Sequence, residues 1–173
     1  MRDMVFTAVF AAVICVAAPF SFFIGPVPLS LATLVIYLAA GTLNWKHGVL
    51  AVFLYVLLGA AGLPVFTAFE GGFHKIAGVT GGYIIGYIPC AAAAGWVSGR
   101  FGGGTFGNAA GMALGTVLLY TCGTAWFMFQ TGNLLAASLA LCVVPFLPGD
   151  AAKIVVACIV APKLRSALSR VTN

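Results

Sequence analysis

Pro145-Phe146-Leu147-Pro148-Gly149-Asp150-Ala151-Ala152-Lys153 is the stretch on which the reading of this chain turns. Asp150 and Lys153 are the only two charges deep inside a sequence that is otherwise almost unbroken apolar run. A charge buried in hydrocarbon costs roughly 2.5 to 3.5 kcal/mol even on lenient insertion scales. A chain this poor in charge does not place two of them there for packing. The pair marks where a polar ligand would be held.

The surroundings explain why burial is the right assumption. Of 173 residues, 62% are hydrophobic and only 6% charged, with a mean hydropathy of +1.14. A soluble domain carries about 25% charged residues, so the composition is that of an integral membrane protein. Three acidic residues and two histidines leave little for soluble enzymology. The net charge of +5 reads as the basic flanks of membrane spans. No basic stripe of the kind nucleic acid requires is present. Cys15, Cys90, Cys122, Cys142 and Cys158 stand singly in apolar segments and read as small buried hydrophobes without a disulfide framework.

Charges divide the chain into countable lengths. Residues 4–45 carry none, and Gly25-Pro26-Val27-Pro28 breaks that run into two spans. Residues 48–69 give a third, 76–99 a fourth, and about 107–129 a fifth. The last helix starts near Pro148-Gly149-Asp150, after an interrupted apolar segment, and runs past Pro162. With roughly 20 residues per span, six spans account for the chain as a single domain over residues 1–173. The first apolar run exceeds a signal peptide's core of about 7 to 15 residues and reads as an uncleaved span. An even number of spans puts both termini on one side. Arg2, Lys46, Arg100, Lys163, Arg165 and Arg170 share that side, against Lys75, offset by Glu70, on the other. The basic side is cytoplasmic.

Depth follows from helix rise. The 13 residues from Asp150 to Lys163 climb about 20 Å, which puts Asp150 in the outer third of a core about 30 Å thick. Asp150 and Lys153 are three apart and share a helix face. Asp150 at a helix start can also cap free backbone N–H groups, so a plain cap paired with a lysine stays open beside the ligand reading. A lysine one turn deeper needs a further reason.

Other patterns carry less. Gly102-x-Gly104-x-x-Gly107 matches a dinucleotide fingerprint as a string but lacks the preceding strand and following acid, and reads as a turn. No phosphate-binding G-x-x-x-x-G-K-[ST] loop occurs, so this chain cannot power transport with ATP itself. Small residues recur at four-residue spacing in Ala8/Ala12, Gly82/Gly86 and Gly107/Gly111/Gly115, where helices can approach closely. Ala8 and Ala12, near the cytoplasmic end, are a candidate docking site for another subunit. His74 reads as solvated.

Four blocks in order carry a resemblance: Val27-Pro28-Leu29-Ser30-Leu31-Ala32-Thr33-Leu34; Leu57 to Phe66; Gly71-Gly72 with Thr80-Gly81-Gly82-Tyr83-Ile84-Ile85-Gly86-Tyr87; and Pro145 to Lys153. Together they resemble the BioY family, the biotin-specific substrate-binding (S) subunits of energy-coupling-factor (ECF) vitamin transporters. Ser30, Ala32 and Val79 depart from the family's usual threonine, glutamine and proline, and no binding role is carried to position 32.

The resemblance implies an all-α, six-helix S-component fold with a biotin pocket near the outer face. It implies two partners in the bilayer system, a transmembrane coupling subunit meeting the small residues of span one and a pair of ABC-type ATPases. Biotin is the transported ligand, and no cofactor is implied. Asp150 would accept from ureido N–H groups, with Lys153 offsetting either biotin's carboxylate or Asp150. Thr80, Gly81, Gly82 and Tyr83 would supply hydroxyl and backbone contacts, and Phe66 and Phe146 would cover the apolar rings. Two alternatives remain at this level: an S component for another vitamin, its pocket altered with Ala32, and a small membrane enzyme. The enzyme would need clustered acids or histidines, whereas the acids stand at positions 3, 70 and 150.

Overall fold

The computed structural model describes residues 2–23 and 27–170. Gly25 and Pro26, where the first two spans were expected to part, lie outside the described residues, as do the side chains of Arg2 and Arg170. Helix α1 (Arg2–Ala17) leads into a hairpin of β1 (Ser21–Phe23) and β2 (Pro28–Ser30). Then come α2 (Ala32–Thr42), α3 (Trp45–Ala60), a short α4 (Phe73–Ala77), α5 (Gly81–Arg100), α6 (Thr105–Thr131), α7 (Leu135–Cys142) and α8 (Leu147–Arg170).

The chain is mostly helical, as expected, with one short hairpin between α1 and α2. Its strands pair antiparallel with Ser21 opposite Ser30 and Phe23 opposite Pro28. Pro28 has no N–H to donate and tolerates only an edge or strand-end position. Ser30 then ends the strand and starts the next helix. Its hydroxyl donates to the Ala18 carbonyl at 2.8 Å and accepts from the Ala32 N–H at 3.0 Å. The second expected span is thereby shortened to the 11 residues of α2. The third ends at Ala60 rather than running to residue 69, because Gly62 (φ 106°) turns the chain out of the helix.

Among the described residues, α6 by itself is long and apolar enough to cross a bilayer, and α7 with α8, bent by 51° at their junction, form a second such path. Helices α1, α2 and α3 are apolar but shorter. The exterior is apolar, with Phe129 and Leu134 each 81% exposed and Phe106 76%. An outward surface of this kind suits lipid rather than water.

The core is built around α2, whose Ile36 and Tyr37 are fully buried. Small residues let α5 and α6 lie close along their length. A Cβ on Gly111 would stand 2.5 Å from the Ala94 carbonyl oxygen, and one on Gly82 would stand 2.2 Å from Trp126 Cβ. The glycine string after α5 is a turn, with the Gly103 N–H closing on the Ser98 carbonyl at 2.8 Å. Glu70 and Lys75, on one connection, pair at 2.6 Å.

Candidate functional site

Helix α8 does not begin with Asp150. It starts one turn earlier at Leu147, and the Asp150 N–H already donates to the Phe146 carbonyl at 2.9 Å. The carboxylate is therefore free of capping duty, which corrects the cap reading. It turns inward instead, 4% exposed, beside Lys153 at 8%.

Donors converge on it from three elements. Oδ1 accepts from Lys153 Nζ at 2.9 Å and from Thr33 Oγ1, on α2, at 3.4 Å. Oδ2 accepts from the Tyr120 hydroxyl, on α6, at 2.6 Å. Lys153 in turn donates to the Ser30 carbonyl at 2.7 Å and to Thr33 Oγ1 at 2.9 Å. An ammonium has three N–H donors, and the contacts to Asp150, Ser30 and Thr33 use all three. Lys153 thus neutralises Asp150 and ties β2 to α8, with no N–H left over. The carboxylate keeps lone-pair capacity beyond its three donors. The ammonium is fully engaged and both carboxylate oxygens have donors, as a buried ion pair requires, while the carboxylate can still accept from a ligand.

This network floors a cavity of about 560 Å³, counting the space at its open mouth. Ligand pockets are typically about 300–1,000 Å³. Apolar walls come from Val27, Leu29, Ile84, Leu119 and Phe146, and aromatic ones from Tyr55, Phe66, Tyr83 and Tyr87. Phe66 stands edge-on to Tyr55, centroids 5.6 Å apart at 87°. Its ring covers Gly59, where a Cβ would fall 2.2 Å from it, so the glycine makes room for the wall. The Tyr83 hydroxyl is committed to the Cys142 carbonyl at 3.1 Å.

Of the residues singled out in the sequence, Asp150, Lys153, Thr80, Tyr83, Phe66 and Phe146 all line this one cavity. Gly81 and Gly82 do not. A Cβ on Gly81 would collide with the Ile76 carbonyl at 1.7 Å, and Gly82 packs on Trp126, so both seat the start of α5 against its neighbours. Ala8 and Ala12 are exposed on α1, away from the cavity. His74 is exposed as expected. Ala32 is fully buried and outside the lining, and Val79 is 40% exposed. Ser30, Thr33, Tyr55, Tyr87 and Tyr120 were missed. The signal available was the tyrosines: four of the chain's five line the cavity, although tyrosines of membrane proteins concentrate at the interfaces.

An apolar-coated helical bundle enclosing a half-open cavity, with a neutralised acid at its floor, defines a membrane-embedded binding protein. The sequence profile of the BioY family matches residues 1–170, and the chain belongs to that family. It is 38% identical over 165 residues to the biotin transporter BioY of Thermotoga maritima, covering 95% of this chain and 96% of the relative. The probable biotin transporter BioY of Pyrococcus horikoshii is 35% identical over 164 residues, with coverage of 95% and 96%. In three dimensions the chain is similar to the crystal structure of the S-component for biotin from an ECF-type ABC transporter. That match has a TM-score of 0.84 at 28% identity, over 95% of this chain and 91% of that one.

Proposed function

We propose that this chain is the biotin-binding S component of an energy-coupling-factor transporter, a transport subunit and not an enzyme. The observation that carries the reading is the floor of the cavity, where Asp150 is held by Lys153, Thr33 and Tyr120 in a chain of the BioY family. Biotin offers ureido N–H donors at one end and a carboxylate at the other. Lys153 has spent its N–H groups and Tyr120 has directed its hydroxyl proton to Asp150. The floor therefore presents acceptors, which suits the ureido end and repels a carboxylate. The thioether ring would lie against Phe66 and Phe146, and the valerate would extend toward the mouth. The case for another vitamin rested on Ala32, and that residue does not line the cavity.

The bundle would cross the membrane six times, using α1, the hairpin with α2, α3, α5, α6 and α8, with both termini at the cytoplasmic face of the cell membrane. Lys46, Arg100, Lys163 and Arg165 fall at that face by the positive-inside preference. Import would require a transmembrane coupling subunit and ABC-type ATPases, with the exposed Ala8 and Ala12 of α1 as the docking stripe.

Two experiments test this. Mass spectrometry of gently purified protein should find biotin bound, and labelled biotin should be displaced by biotin before any other vitamin; preference for a different vitamin refutes the assignment. Replacing Ala8 and Ala12 by leucine should leave biotin binding intact while reducing recovery of the coupling subunit on co-purification. Unchanged recovery removes α1 as the docking face.

A further inference from the structure

Three glycines stand in helices at positions whose backbone does not call for glycine. Gly59 in α3, Gly123 in α6 and Gly149 in α8 are not among the residues with positive φ, and glycine is a poor helix former. A glycine inside a helix is then explained by the close approach of another group. Elsewhere in the bundle that group is a neighbouring helix. A Cβ on Gly111 would stand 2.5 Å from the Ala94 carbonyl oxygen, and one on Gly115 would stand 2.7 Å from that of Cys90. At the three positions it is a wall of the cavity instead. The atoms nearest a Cβ on Gly59 all belong to the Phe66 ring, at 2.2 to 2.8 Å. On Gly123 they all belong to the Tyr83 ring, at 2.3 to 2.5 Å, and on Gly149 to the Leu29 side chain, from 3.0 Å. Phe66, Tyr83 and Leu29 line the cavity, whereas none of these three glycines does.

The consequence is breadth. Carbon atoms pack at about 3.5–4.0 Å, so a methyl on Gly59 would displace the Phe66 ring by more than about 1 Å. That ring is 1% exposed and already stands edge-on to Tyr55 at 5.6 Å, so the open space it adjoins is the cavity. Tyr83 is placed in the same way, with its hydroxyl held by the Cys142 carbonyl at 3.1 Å. A methyl on Gly123 would drive that ring toward the pocket and strain the hydrogen bond. A close-packed interior offers the rings little other room.

We propose that Gly59 and Gly123 are specificity-determining residues that touch no ligand. By letting Phe66 and Tyr83 sit back, they give the pocket the breadth of a fused two-ring ureido compound. Gly149 contributes less, because its contact begins at 3.0 Å and meets the flexible end of a leucine. The inference rests on the biotin reading of the cavity and adds what would favour biotin over desthiobiotin. Desthiobiotin keeps the ureido ring and a carboxylate chain but lacks the sulfur that closes the second ring.

The test is displacement of labelled biotin from the full chain in detergent by unlabelled biotin and by desthiobiotin. Wild type should prefer biotin. Gly59→Ala should weaken biotin binding by roughly tenfold to a hundredfold, as overpacking does. Desthiobiotin should lose less, so that the ratio between the two ligands narrows by about tenfold, the discrimination an apolar pocket draws from one small group. Gly123→Ala should move the ratio in the same direction, and Gly149→Ala should move it least. A glycine that only packs helices would lower stability without changing the ratio. In a Phe66→Leu background the smaller side chain can clear the added methyl, and Gly59→Ala should then cost no more than about twofold. Three results overturn the inference while the biotin reading stands: an unchanged ratio in Gly59→Ala, the same loss with and without Phe66, or a Gly59→Ala chain that fails to fold because the ring cannot yield. Wild type that binds no biotin refutes that reading and the inference with it.

Discussion

Lys153→Met tests the central network most directly. Methionine keeps the length of the side chain but removes the ammonium and its contacts to Asp150, Thr33 and Ser30. Asp150 is then a buried charge, 4% exposed, whose remaining donors are Tyr120 and Thr33. Removing one partner of a buried pair costs about 3–5 kcal/mol. At roughly 2–4 °C per kcal/mol for a chain of this size, the melting temperature of the unliganded protein should fall by on the order of 10 °C. The companion is the double variant Asp150→Asn with Lys153→Met, in which both charges are gone. Its stability should recover most of the loss, since neutral groups of similar volume often match a buried pair. Its biotin affinity should not recover, because the acceptor for the ureido N–H groups has lost its charge. Scanning calorimetry gives the first quantity and titration calorimetry with biotin the second. A Lys153→Met protein that melts and binds like wild type would refute the reasoning. So would a double variant that regains affinity together with stability.

Two further outcomes follow from individual contacts. Tyr120→Phe removes the 2.6 Å donor to Asp150 Oδ2, and a hydrogen bond to a charged group is worth about 1.5–3 kcal/mol; biotin affinity should fall by roughly tenfold to a hundredfold, and an unchanged dissociation constant would remove Tyr120 from the site. Gly111→Val forces a Cβ to 2.5 Å from the Ala94 backbone oxygen, so α5 and α6 must separate; overpacking of this kind costs about 1–3 kcal/mol, to be read as a lowered melting temperature, and a valine variant as stable as wild type would show that the contact yields freely.

The charges of the chain were legible without coordinates because burial makes each one expensive. Asp150 and Lys153 could be placed on one helix face by spacing alone, and their salt bridge at 2.9 Å follows from it. The small residues of α5 and α6 announced a close helix pair, since only small side chains permit the approach of Gly111 to Ala94. Phe66, Tyr83 and Phe146 were reachable through the family blocks in which they stand. The sequence reading against an enzyme agrees with the relatives, which are named as biotin transporters.

Tertiary structure decided the rest. Ser30, Thr33 and Tyr120 lie 117 to 123 and 30 residues from their partners in α8, and no local period connects such positions. A hydroxyl in an apolar run looks the same in sequence whether it bonds its own helix, as Thr116 does, or reaches across to a carboxylate, as Tyr120 does. The glycines of the Thr80–Tyr83 block show the converse: Gly81 and Gly82 stand beside site residues in sequence, yet they pack on Ile76 and Trp126. Composition and spacing marked this chain as a membrane protein and Asp150 as the place to expect a polar ligand, because hydrocarbon penalises charge regardless of fold. Which atoms of the network remain free to meet that ligand depended on which donors the packed helices bring together, and only the folded chain fixes that.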